Sequence, residues 1–173
     1  MIKLKFFLDK DEEVKWLNDQ SRKGLALKKY ILGFYIFDKC EEDEYVYEID
    51  FLNSVSEYAS FKEFMNENNI HVVSRWYRWV YLRKVNDYKG FELYSDLDSK
   101  IEHYQKIKTM FKIAFIIELA CLFIEIIVPL ITSQMRLINF IFISIIVFFS
   151  IVIFGAYSKI DEKINNYIIQ KEA

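Results

Sequence analysis

Leu137–Tyr157 is a run of twenty-one residues without a single charge, and few other features restrict a chain's fold as sharply. A surface helix keeps a polar stripe, but this run is apolar on every side, as expected for a helix surrounded by lipid. Just before it, Ile113–Thr132 supplies twenty residues with only Glu118 and Glu125 as charges. A hydrocarbon core of about 30 Å needs roughly twenty helical residues, so both segments are long enough to cross it. Between them stand only Ser133, Gln134, Met135 and Arg136, which forces an antiparallel hairpin.

Basic residues set the expected orientation. Lys106, Lys108 and Lys112 precede the first span and Lys159 and Lys163 follow the second, against Arg136 alone in the loop. The positive-inside rule then predicts a multi-pass protein of the cell membrane with both termini cytoplasmic. The chain starts with a strand pattern at Ile2–Leu8, so no signal peptide is expected.

Glu118 and Glu125 lie seven residues apart and share one helix face. A charge at the centre of a span costs about 3 kcal/mol and each large apolar residue returns about 0.3–0.6 kcal/mol. Thirteen such residues therefore offset the pair narrowly. Asn139, Ser144 and Ser150 on the second span are possible hydrogen-bond partners. Both carboxylates are candidates for an intramembrane function, with inert packing as the competing reading.

The rest of the chain has a different character. Of 23 basic and 25 acidic residues, positions 1–100 hold 16 and 19, a net charge of −3 that offers nucleic acid no footprint. Cys40 and Cys121 lie in segments of opposite character, which implies neither a disulfide nor a zinc site. No internal repeat is visible.

Six elements are expected in this part. Lys3–Leu8 alternates, with Leu4, Phe6 and Leu8 on one side and Lys3, Lys5 and Phe7 on the other. Asp11-Glu12-Glu13 opens a helix that Gly24 stops. Leu25–Phe37 reads as one strand kinked at Gly33. An acidic turn, Glu41–Glu44, then pairs it with Tyr45–Leu52. Ser54-Val55-Ser56-Glu57 matches a capping box ahead of a second helix, and His71–Val85 reads as one long last strand. The order βαββαβ is the ferredoxin-like α+β arrangement.

That fold leaves one sheet face open, which would carry Lys5, Phe7, Glu48 and Asp50. The last strand would add either Trp76 and Arg78 or Tyr77, Trp79 and Tyr81. Such a charged and aromatic surface suits a protein partner, and ordinary cross-strand ion pairing competes with that reading. The Gly-aromatic pattern of RNA-recognition strands is absent from Tyr45–Leu52. His71 and His103 fall in different elements, and there is neither a phosphate loop nor a nucleophile elbow. No enzymatic activity, cofactor or metal is expected. The division is a domain at 1–86, a linker and juxtamembrane helix at 87–112, spans at 113–132 and 137–157, and a tail at 158–173.

Three segments carry a resemblance. DEEVKWLNDQSRKGLAL (Asp11–Leu27) is similar to a signature E-E-x-x-W-L-N … K-G-x-x-L. YIFDKCEEDEYVYEIDFL (Tyr35–Leu52) is similar to Y-x-F-x-K-C-E … Y-x-Y-x-I-D-F-L. ELYSDLDSKIEHYQKI (Glu92–Ile107) is similar to E-L-F-S-D … S-K-I-E-x-Y. Together they resemble domain-of-unknown-function family 2812, bacterial membrane proteins often encoded beside PadR-type transcription regulators. Leu25 departs from the pattern, which commonly has Trp after the Gly. The resemblance implies a regulatory or signalling membrane protein whose cytoplasmic domain binds a protein partner such as a PadR-type regulator, or which self-assembles. It brings no catalytic residues. A small oligomeric transport or ion-handling component using Glu118 and Glu125 is the alternative.

Overall fold

The computed structural model describes residues 1–134 and 136–172; Met135 of the expected loop lies outside them. The chain divides into two units, Met1–Ser95 and Asp96–Ala173.

The first unit is α+β. It runs β1 (Ile2–Leu4), α1 (Lys10–Ser21), β2 (Leu25–Ile31), β3 (Phe34–Lys39), β4 (Tyr45–Phe51), a 3-10 turn at Val55–Glu57, α2 (Tyr58–Glu67), β5 (His71–Trp76) and β6 (Trp79–Val85). The expected single four-stranded sheet is replaced by two antiparallel sheets of three strands, β1-β3-β2 and β4-β6-β5. Each sheet comes from a strand, a helix and a hairpin, with the last strand in the middle. The backbone therefore repeats one βαββ plan that the sequence does not display.

Two hairpins account for the difference. Leu32-Gly33 is a two-residue turn with φ of 47° and 84°, the positive values a tight hairpin needs. Tyr77, at φ 55°, helps turn β5 into β6 beside the Trp76–Trp79 pair. What reads as two long strands is four, because aliphatic and aromatic residues occupy the turns. The expected pairing across Glu41–Glu44 is absent, since β3 and β4 belong to different sheets.

Helix α1 starts at Asp9, whose carboxylate accepts the Asp11 N–H at 2.9 Å. Its Leu17 is fully buried with Leu27, Tyr35 and Phe37 of one sheet and Tyr47, Ile49 and Tyr81 of the other. The expected core face of β4 is thus correct. The capping box does not form, because Ser54 makes no side-chain bond to the helix and the first turn is 3-10. Behind it, α2 contributes Met65 to a second core with Leu52, Val72, Val80 and Leu82.

The second unit is a helical hairpin of α3 (Leu97–Thr132) and α4 (Leu137–Glu172), each of 36 residues. Asp96 caps α3 by accepting the Ser99 N–H at 2.8 Å. Lys171 bonds Asp98, Lys108 pairs with Asp161, Ser150 bonds Glu118 and Asn139 bonds Glu125, so the helices run antiparallel. Residues 158–172, expected as a tail, continue α4. Each helix has a stretch long and apolar enough to cross a membrane, and almost none of either stretch is buried. That suits a membrane hairpin better than a soluble core, whose helices would be covered.

Candidate functional site

Among the expected surface residues, the segment 2–8, of which only Ile2–Leu4 is strand, shows the opposite face from the one its alternation suggested. Leu4, Phe6 and Leu8 are exposed, while Phe7 packs its ring 5.5 Å from Trp16 and edge-on to Tyr35. Lys5 places its ammonium 4.6 Å from the Phe7 ring and 5.2 Å from that of Trp16. Lys3 bonds Gln20. Lys3 is half-buried and Lys5 stays exposed, their stems lying along the aromatic side chains because cation–π contacts suit that surface.

Glu48 and Asp50 do not form an open face. Glu48 pairs with Lys10 at 2.7 Å, both being largely covered. Asp50 is buried, accepting from the Phe51 N–H and from the Tyr94 hydroxyl at 3.0 Å. Trp79 packs on Phe51 at 4.8 Å, and Arg78 lies over the same Phe51 ring while donating to the Leu52 carbonyl. Besides Lys5, only Trp76 and Tyr77 of the eight are exposed, at the β5–β6 turn. The eight residues are scattered and make no single surface.

A different surface takes their place. The outer side of β1-β3-β2 lines up Ile2 with Ile36, and Leu4 and Ile31 with Phe34. Phe6 sits over the turn, where a Cβ on Gly33 would come within 2.5 Å of its ring. Ile2, Leu4, Phe6, Ile31, Leu32 and Phe34 are 41–74% exposed, and their register makes them neighbours. A contiguous apolar face of this kind marks a binding surface more often than scattered apolar residues do.

Sequence reasoning also passed over a half-buried acid. Glu13 accepts the Tyr35 hydroxyl at 2.6 Å and the Tyr81 hydroxyl at 2.7 Å on one oxygen, tying α1 to both sheets. Tyr30 packs with its ring tilted against Tyr35 and Tyr81 at 4.9 and 4.6 Å, and Trp16 meets Tyr35 edge-on. Burial pushes the Glu13 carboxyl above its ordinary value, although both tyrosines and Lys10 oppose this. The tyrosine hydroxyls are driven upward by burial and by the Glu13 charge. In sequence Glu13 is one of three consecutive acids and looks solvated. Its distinguishing signal is its place on the same helical side as Leu17.

In the second unit both expected carboxylates find side-chain partners within the hairpin. The Asn139 amide donates to Glu125 at 2.8 Å and the Ser150 hydroxyl donates to Glu118 at 3.1 Å. Ser144 instead bonds the Phe140 carbonyl of its own helix. Pro129 lies four residues after Glu125 and lacks the N–H that would meet its backbone carbonyl. No cluster of His, Cys, Asp or Glu among the described residues could hold a metal.

No curated protein and no solved structure matches the chain. A family described as "Protein of unknown function (DUF2812)" matches residues 9–116, from the cap of α1 into the apolar part of α3. Since that span is more than half of the 173 residues, the chain belongs to the DUF2812 family.

Proposed function

We propose that this chain is a membrane-anchored, non-enzymatic regulatory protein. The apolar hairpin holds the α+β unit at the cytoplasmic side of the cell membrane, and that unit binds a protein partner. The exposed apolar face of β1-β3-β2 carries the reading. Ile2, Leu4, Phe6 and Phe34 are costly to leave in water unless they are periodically covered. A PadR-type transcription regulator is the partner that the family resemblance suggests, and recruiting one to the membrane would lower its free concentration. The transport reading rests on Glu118 and Glu125, and the bonds to Ser150 and Asn139 weaken it by giving each carboxylate a packing role.

The test combines topology with capture. In a Cys121→Ala background, Cys40 reacts with a thiol reagent only from the cytoplasmic side and a Gln134→Cys variant only from outside. A photocrosslinking residue at position 34 forms an adduct with a PadR-type regulator in cells, and one at Glu63 on α2 does not. Labelling from the opposite sides would overturn the orientation. Adducts only with lipid or with a second copy would overturn the partner.

A further inference from the structure

The two sheets meet edge to edge without a shared ladder. Strands β2 and β5 are joined by one side chain, with the Tyr30 N–H donating to Ser74 Oγ at 3.0 Å and the Ser74 hydroxyl donating to the Tyr30 carbonyl at 3.3 Å. Beyond that bridge the register slips on both edges, between Leu27 and Lys29 on β2 and between Val72 and Ser74 on β5. Opposed bulges hold the edges apart and leave a pocket of about 220 Å³ that takes in Lys28, Asp38, His71, Val73 and Arg83.

The charges in and around this pocket do not balance. Asp38 pairs with Lys28 at 3.0 Å. Among the described residues, no carboxylate lies within ion-pair distance of Arg83, His71 or the neighbouring Lys62, although the Glu44 carboxylate acts on Arg83 from farther off. Arg83 lies over the Tyr45 ring, its guanidinium carbon 4.4 Å from the ring centroid. The charges that face His71 are Arg83 from β6 and Lys62 from α2, while Lys28 of β2 and Asp38 of β3 line the same pocket. Burial first, and then Arg83 and Lys62, hold the imidazole below its ordinary pKa. Residues 1–100 carry a net −3, so cations gathered here run against the charge of their surroundings.

We propose that the seam pocket binds a small oxyanion, a carboxylate or phosphate group, on the guanidinium of Arg83 with His71 and Lys28 beside it. A planar guanidinium held by a ring is preorganised for two parallel bonds to such a group. Val73 and the stems around it suit a short apolar remainder. An anion bound there favours the imidazolium, so binding tightens as pH falls through the titration of His71. The site shares none of the residues of the apolar face, so the partner reading and this one stand or fall separately.

The test follows His71 by NMR in the full chain in detergent micelles, titrated with inorganic phosphate, acetate or chloride at matched ionic strength. Phosphate or acetate raises the His71 pKa saturably, whereas chloride gives only a small, unsaturated drift. Saturation with one and not the other assigns the source. Arg83→Gln weakens the saturating anion about tenfold, and Lys62→Gln raises the His71 pKa without abolishing saturation. If Arg83→Gln alters the tryptophan emission and hence the fold, Arg83→Lys replaces it, keeping the charge and losing the fork. Equal unsaturated drift with all three anions would overturn the site. So would titrations of both Arg83 variants that match the parent.

Discussion

Phe6 and Phe7 offer a direct test of which way β1 and the residues after it face. Simple alternation puts Phe6 with Leu4 and Leu8 in the core, but the structure puts Phe7 there, against Trp16 and Tyr35. Phe7 is half-buried and Phe6 is 74% exposed. Phe7→Ala returns to water on the order of 100 Å² of apolar contact, about 2.5 kcal/mol at ~25 cal/mol per Å². Loss of the aromatic pairing adds about 0.5–1 kcal/mol. Phe6→Ala removes only the contact over Gly33 and should cost below about 1 kcal/mol. All three tryptophans, Trp16, Trp76 and Trp79, lie in the first unit, so urea unfolding in mild detergent followed by tryptophan emission reports on that unit alone. With a urea slope of about 1.5 kcal/mol per molar, Phe7→Ala moves the midpoint down by about 2 M and Phe6→Ala by well under 1 M. A larger shift for Phe6→Ala would refute the assigned face and with it the apolar docking surface.

Two further outcomes follow from the half-buried acids Glu13 and Glu125. Glu13 has a raised carboxyl pKa, so the folded state holds its proton more tightly than the unfolded chain. Its contribution is fully present below the ordinary 4.5 and is lost as pH rises through the folded value. Glu13→Gln, which keeps an acceptor for Tyr35 and Tyr81, should flatten that decline, and an unchanged pH profile would show that the carboxyl is not titrating in the fold. In the hairpin, a double-mutant cycle of Glu125→Leu and Asn139→Leu, read from steric-trapping unfolding in bicelles, should give a coupling near 0.6 kcal/mol and no more than about 1.7 kcal/mol. A coupling of zero would mean that the Asn139–Glu125 bond does not hold the helices together.

The hairpin was legible because a charge-free run of twenty-one residues has few other uses, and the core face of β4 was legible because Tyr47, Ile49 and Phe51 alternate cleanly. The missed turns have a common cause. Leu32 and Tyr77 are residues typical of strands, so Gly33 reads only as a kink, and without Asn-Gly or Asp-Gly neither reversal is marked as a hairpin. The first strand misled because its lysines lie along aromatic rings, a role decided by Trp16 and Phe37 elsewhere in the chain. Glu13 escaped notice for the same reason. Its partners Tyr35 and Tyr81 are 22 and 68 residues away, and only the tertiary fold brings them to it. The seam pocket depends on two bulges, and a bulge leaves little trace in an apolar–polar pattern.

The length of the hairpin sets a mechanical scale. At ~1.5 Å per residue, each 36-residue helix is about 54 Å long, whereas a bilayer's hydrocarbon core is about 30 Å thick. Set in a membrane with the loop at one surface, the pair would project about 24 Å beyond the other, clamped there by Lys108–Asp161 and Lys171–Asp98. Such a rod is a lever pivoting in the bilayer. A 10° change of tilt, within the range that helices adopt when membrane thickness changes, would swing its far end by about 7 Å. That end is Asp96 and Leu97, where the first unit's chain joins the second, so a modest change in the lipid would become a displacement about the size of a side chain at the point where the α+β unit is attached.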